Sequence, residues 1–241
     1  MVSPEEAFEI EESLPHGHVE AVLGTIRRLK LDQILGSKPS PQRNRVLAMI
    51  GQLLLYPSSK LGITRLWHCS TLAEELQVAD SDEDDLYEAM DWLVQRQSRI
   101  EKKLARRHLC SGDSVFYDVT SSYYEGTTCR LAEFGYNRDA KRGKTSIVWG
   151  VMTDPAGRPV AVEVYPGRTG DPSTLADQVE KLRGRFGLDR LVMVGDRGLL
   201  TETQIEKLRQ YPGVGWISAL SFESIRQLAE DRSLQPSLFV Q

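Results

Sequence analysis

The first part of the chain carries apolar residues at helical spacing. In "HVEAVLGTIRRLKLDQIL", residues 18–35, they recur every three or four positions, and "NRVLAMIGQLLLY" repeats that spacing until Pro57 stops it. "TLAEELQV" opens with Thr71 and Glu74 at capping-box spacing. From Ser81 to His108 the pattern predicts one long helix, with Leu86, Met90, Leu93, Ile100 and Leu104 on its apolar stripe. Its acids lie at the start and its bases at the end, which suits the helix dipole. "CSGDS" then breaks the pattern. Residues 1–110 are therefore expected to form an all-helical region.

Beyond residue 110 the period changes. "SVFYDVTSSYY" and "TSIVWGVMTD" predict strands. Asp154-Pro-Ala-Gly then joins the second of these to "PVAVEVYPG" as a hairpin turn. "DPSTLADQVEKLRGRF" predicts a helix with Asp171 as cap and Pro172 at its first position. A short strand "RLVMVGD", a helix "TETQIEKLRQ", a strand "VGWISAL" and a helix "SFESIRQLAED" follow. The expected fold is α/β, with a five-stranded mixed sheet over residues 111–241 in the order β-β-β-α-β-α-β-α. Trp149 and Trp216 read as core anchors, and Gly195 and Gly198 as residues of the tight turn after the fourth strand.

Within the first strand, alternation puts Val115, Tyr117 and Val119 on one face and Phe116, Asp118 and Thr120 on the other. A carboxylate there is costly to desolvate unless it is paired or binds a metal. Bonding to the nearby hydroxyls of residues 120–122 is the plain alternative. A second carboxylate, Asp196, closes the strand "LVMVGD", and sites in α/β sheets gather at such carboxyl ends. Three antiparallel strands, a helix and a strand tipped by an acid is the RNase H-like order, in which the first and fourth strands are neighbours. Asp118 and Asp196 would then lie close together. Adjacent carboxylates repel unless a cation lies between them, and a hard divalent ion such as Mg²⁺ is the natural partner.

Composition narrows the classes. The chain has 241 residues, 40% hydrophobic and 27% charged, enough for a core and unlike a disordered chain. No apolar run reaches the roughly 20 residues of a membrane span. The acidic start "MVSPEEAFEIEE" lacks a signal-peptide pattern, so a cytoplasmic location is expected. Cys69, Cys110 and Cys129 form no CxxC pair, and His68-Cys69 lacks metal-ligand spacing. The net charge of −4 argues mildly against a dedicated nucleic-acid-binding domain. The charge is uneven, however. Residues 80–91 are acidic, residues 96–107 basic, and "RDAKRGK" sets Arg138, Lys141, Arg142 and Lys144 against Asp139. Local basic patches keep a polyanion partner possible.

"YDVTSSYYEG", "FGYNRDAKRGK", "VYPGRTGDPSTL", "VGDRGLLTETQIEKL" and "GWISAL" resemble bacterial insertion-sequence transposases of the Asp-Asp-Glu type, in the IS-four superfamily. The resemblance runs from about residue 20 to the end. It implies an RNase H-like catalytic domain over 111–241, and a helical region over 1–110 for DNA-end binding or dimerisation. Asp118 and Asp196 match the first two catalytic carboxylates and would ligate Mg²⁺, or Mn²⁺ in its place. The implied activity is metal-dependent phosphodiester hydrolysis and strand transfer at transposon ends. Implied partners are transposon-end double-stranded DNA and a second copy of the chain, in the bacterial nucleoid. Arg138, Lys141, Arg142, Lys144 and Arg197 would meet DNA.

The departure from the family lies at the third acid. The family pattern is Tyr-x-x-Arg-x-x-x-Glu-x-x-x-x-x-x-Lys, after an inserted, mostly β segment. The nearest match is Glu230, with Arg226 in place, but Glu223 stands at the Tyr position and Ser237 at the Lys position. Arg-x-x-x-Glu pairs are also common on helix surfaces. The resemblance therefore implies a chain cut before the third carboxylate and inactive or weakly active. Three other readings remain open. One is a non-catalytic DNA-binding or inhibitory fragment. Another is a nuclease or resolvase on the same fold. The last is an aspartyl-phosphate phosphatase, which would need acids where Thr120 and Leu200 stand.

Overall fold

The computed structural model describes residues 12–135, 143–231 and 233, and the chain divides into two compact units, 1–100 and 101–241. The first unit is helical: α1 (Gly17–Leu29), α2 (Leu31–Leu35), α3 (Pro41–Leu55), α4 (Lys60–Arg65), a 3-10 turn at Trp67–Cys69, α5 (Leu72–Glu75) and α6 (Glu83–Val94). Helix α7 (Gln97–His108) follows and leads into the second unit. The core of the first unit is built from Val19, Leu23, Ile26, Val46, Leu72 and Leu86 with their neighbours.

Three local expectations fail here for identifiable reasons. The segment 18–35 is two helices, because Lys30 takes the left-handed conformation (φ 57°) and caps α1 through its N–H. The Thr71 hydroxyl does not cap α5; it bonds to His16 Nδ1 at 2.8 Å. A true capping box instead opens α6, where Asp82 and Asp85 exchange side-chain and backbone bonds. The expected long helix over 81–108 is broken at Gln95 and Arg96. Arg96 turns back, donates to the Trp92 carbonyl at 3.2 Å and lies 3.9 Å over the Trp92 ring, which satisfies an end carbonyl of α6. Leu86 and Ala89 are buried, whereas Met90 is largely exposed.

The second unit is a five-stranded sheet in the order β3-β2-β1-β4-β5. Strands β1 (Ser114–Tyr124), β2 (Thr145–Thr153) and β3 (Pro159–Pro166) are antiparallel neighbours. Strands β4 (Leu191–Val194) and β5 (Val214–Ile217) continue the sheet in parallel from β1. This is the RNase H-like strand order, with β1 and β4 adjacent. The helices between them are α8 (Leu175–Glu180), flanked by a 3-10 turn at Asp171–Thr174 and a π turn at Lys181–Arg185, and α9 (Glu202–Leu208). Gly170, not Asp171, is the residue before the first turn, and no side chain caps it. The Ser173 and Thr174 hydroxyls bond back to the carbonyls of Gly170 and Asp171, and tighten that turn. Helix α10 (Phe222–Glu230) ends the described elements and buries none of its residues.

The apolar core lies on one face of the sheet. Val115, Tyr117, Val119, Val148, Met152 and Met193 pack there against Leu175, Val179, Leu182 and Leu208 from the helices. The opposite face carries Phe116, Val162, Val164 and Ile217, each more than 40% exposed. Trp149 lies on that open face, because it pairs with Thr120, and its indole N–H donates to Ser122. Trp216 packs against the core as expected. A buried ionic cluster ties α7 to β3 and the π turn. Glu101 accepts from the Val162 N–H and pairs with Arg185 and Lys181, and Lys181 also pairs with Glu163.

The β2–β3 turn is organised by Asp154, which is fully shielded from solvent. Burial alone raises the Asp154 carboxyl pKa. Bonds from the Arg158 N–H and guanidinium and from the Ala156 N–H outweigh it, so the net direction is downward. His108 sits 3.9 Å from the same carboxylate, and burial, Arg158 and Arg107 together hold its pKa below 6.5. Both pKa values are depressed in the folded state. Each group's contribution is therefore present above its unfolded pKa and lost as pH falls. Stability is expected to decline from about pH 6.5 downward through His108 and further below about 3.9 through Asp154. Thermal melts across this range check the trend: His108→Gln should flatten the upper part, and Asp154→Asn should cost about 2 kcal/mol at neutral pH.

Candidate acidic site on the open sheet face

The site is set by one strand register. Ser114 stands opposite Val192, Val115 opposite Met193 and Phe116 opposite Val194. Two residues further along both chains are Asp118 and Asp196. Neighbouring strands lie about 4.8 Å apart, so these backbones would approach at about that spacing. Gly195 stands between Val194 and Asp196. A β-carbon there would lie 3.5 Å from the Tyr117 carbonyl oxygen and 2.8 Å from Leu199 Cδ2. Gly195 has no left-handed φ, so contact, not backbone conformation, favours glycine at this position.

Both carboxylates are exposed. Asp118 shares the face of Phe116 and Thr120, opposite the core, as alternation predicts. It does not bond to the hydroxyls of residues 120–122; its Oδ1 accepts from the Val119 N–H at 2.9 Å. Asp196 Oδ1 accepts from the Leu199 N–H at 2.8 Å, which closes the turn after β4 and fixes that side chain. Neither carboxylate forms an ion pair among the described residues. Carboxylates of this kind, one on β1 and one just past the end of β4, are the oxygen donors that a hard divalent cation takes, with water in its remaining positions.

Among the described residues no three His, Cys, Asp or Glu side chains are grouped to hold a metal. Glu230 lies on α10, exposed, 3.6 Å from Arg226 Nε. Lys144 is exposed and pairs with Glu125 at 3.1 Å. Arg138, Lys141 and Arg142 fall outside the described residues. Arg197 follows Asp196 directly and lines a cleft of about 870 Å³ between α9 and the β5–α10 connection. Beside the acidic pair, Thr120, Ser121, Thr169, Asp171 and Gly198 line a smaller cavity of about 220 Å³. Sequence reasoning missed this cavity, because Thr169 and Asp171 reach it from the loop before α8. It missed the larger cleft too, because "GWISAL" supplies only Trp216, Ser218 and their neighbours, while Glu202 and Arg209 reach the cleft from α9.

No protein-family model and no curated protein matches the chain. Among solved structures it is similar to the Mos1 transposase paired-end complex with left transposon end, at 12% identity and a TM-score of 0.30, covering 81% of this chain and 72% of that one. It is also similar to the piggyBac transposase synaptic complex with hairpin DNA, at 14% identity and a TM-score of 0.43. That match covers 93% of this chain and 51% of the piggyBac chain, so the chain spans about half of piggyBac's length. The Mos1 mariner paired end complex with Mn is a further likeness, at 12% identity and a TM-score of 0.28, covering 87% and 79% of the two chains.

If Asp118 and Asp196 share a cation, Mn²⁺ should raise the melting temperature of the wild-type chain and leave Asp118→Asn and Asp196→Asn unmoved. Without metal, each single variant should be more stable than wild type by about 0.5 kcal/mol, because a like-charge neighbour is gone. Calorimetry with and without Mn²⁺ checks both signs.

Proposed function

We propose that this chain is a DNA transposase of the Asp-Asp-Glu insertion-sequence type, acting on the phosphodiesters of transposon ends. The observation that supports this reading is the β1–β4 register, which ends at Phe116 opposite Val194, two residues before Asp118 and Asp196, in a sheet of RNase H-like strand order. Strand order alone would not do so, since one fold hosts many functions.

Asp118 and Asp196 would hold Mg²⁺. The ion would supply charge neutralisation, an activated water and stabilisation of the leaving oxygen. The residues themselves have simpler tasks. The Leu199 N–H fixes Asp196 and leaves its second oxygen to face outward. The Val119 N–H does the same for Asp118. The exposed face gives a duplex access that a closed pocket would deny. In the reaction a water oxygen bonds to phosphorus, the bond from phosphorus to the 3′ oxygen breaks, and that oxygen leaves with a proton. Arg138, Lys141, Arg142, Lys144 and Arg197 would bind the DNA backbone, where phosphate contacts dominate affinity. Two copies of the chain would pair two ends.

Among the described residues no third acid joins a metal-binding group, which supports a weak catalyst and also a DNA-binding role that survives loss of both acids. The test is nicking of duplexes taken from the DNA flanking the gene, with Mg²⁺. Slow nicking is expected, reduced at least about tenfold by Asp118→Asn or Asp196→Asn, since losing one charged ligand costs more than 1.4 kcal/mol. Glu230→Gln should stay within about twofold, the effect of a surface ion pair. Nicking unchanged by Asp118→Asn would overturn the assignment.

A further inference from the structure

The first unit holds a cavity of about 260 Å³, lined only by residues of that unit. Part of its wall is apolar and buried: Leu23 and Ile26 of α1, Leu47 of α3 and Leu76 just after α5. Two charged side chains also line it, Asp32 on α2 and Arg43 on α3. Asp32 Oδ1 and Arg43 Nε are both shielded from solvent, and neither has a hydrogen-bond partner. The guanidinium is anchored elsewhere, since its Nη1 donates to the Gly36 carbonyl at 3.1 Å. Its Nε–H is left over. Burying a donor or an acceptor unmet is costly, and more so on an ionised group.

Charge and size narrow what could meet both groups. Arg27 and Glu75 complete the ionic part of the wall, so the formal charges there cancel. Arg27 is already engaged by Glu20 at 2.9 Å. A phosphate would face the carboxylates of Asp32 and Glu75, and a lone cation would face Arg27 and Arg43. A ligand bearing both signs meets neither penalty. The volume is several times the roughly 30 Å³ share of one water, and an apolar wall gives water no partners. It lies just under the range of about 300–1,000 Å³ filled by drug-sized ligands. Such a space suits a molecule smaller than a nucleotide.

We propose that this cavity binds a free α-amino acid with an aliphatic side chain. The ligand's carboxylate accepts from Arg43 Nε–H, and its ammonium group donates to Asp32 Oδ1. Bonds between ionised partners are the strong ones. The aliphatic side chain lies against Leu23, Ile26, Leu47 and Leu76 and gains by leaving water. The helical unit would then carry a small-molecule site of its own. This goes beyond the DNA reading and does not rest on it, because no residue of the acidic site takes part.

The test is titration calorimetry of the full chain with L-leucine as the probe. N-acetyl-L-leucine lacks the ammonium charge, L-leucinamide lacks the carboxylate, and glycine lacks the side chain. Leucine should bind, and each of the three should bind at least about tenfold more weakly, since each loses one charged bond or the apolar contact. Asp32→Asn keeps the shape and removes the charge, and should weaken leucine by at least about tenfold. Arg43→Lys, which withdraws the Nε–H, is a second variant with the same expected loss. Thermal melts without ligand show that each variant is folded, and the analogue series on the wild-type chain needs neither. No binding at millimolar leucine overturns the proposal and leaves a cavity filled by water only. Analogues that bind as tightly as leucine overturn it too, as does leucine binding unchanged in a folded Asp32→Asn chain.

Discussion

The parallel pairing of β1 with β4 is the constraint around which the second unit is organised. Strand β1 pairs with β4 in a register that leads Asp118 to Asp196. That register is fixed from the other face. Val115, Tyr117, Val119 and Met193 are buried against the helices, and a slip of one residue would turn all of them outward. Burial of the apolar face therefore sets the position of the acids, although neither acid touches the core. Gly195 leaves room for Leu199, whose Cδ2 would lie 2.8 Å from a β-carbon at that position.

The sheet is strongly two-faced. One side is a packed core with a buried ionic cluster around Glu101 and Lys181. The other leaves Phe116, Val162, Val164 and Ile217 in solvent together with the two carboxylates. Antiparallel strands such as β1, β2 and β3 commonly have one face packed and one face solvated. Helix α10 shows the same imbalance, with Phe222 and Ile225 exposed along one side.

Much of this was legible in the sequence. The alternation of Val115, Tyr117 and Val119 with Phe116 and Asp118 gave the right faces, and the order of strands and helices gave the RNase H-like sheet with β1 beside β4. These succeed because period and order are local properties of the chain. The errors arise where a tertiary partner decides. Thr71 looks like a cap until His16 takes its hydroxyl. The helix over 81–108 looks continuous until Arg96 folds back on Trp92. Trp149 looks like a core residue, but its register places it opposite Thr120 on the open face. The cleft around Trp216 and Ser218 is not legible from "GWISAL" alone, since it is assembled from α9, β5 and the connection that follows.

The most direct test of the central claim is where a redox-active ion bound by the chain cuts it. Fe²⁺ with ascorbate and peroxide cleaves backbone close to the bound metal, and mass spectrometry locates the cuts. A shared site predicts fragments ending near Asp118 and near Asp196 together, with both sets lost in Asp118→Asn alone. Cuts confined to one of the two strands, or cuts at β4 that persist in Asp118→Asn, would contradict a site built jointly by the two aspartates.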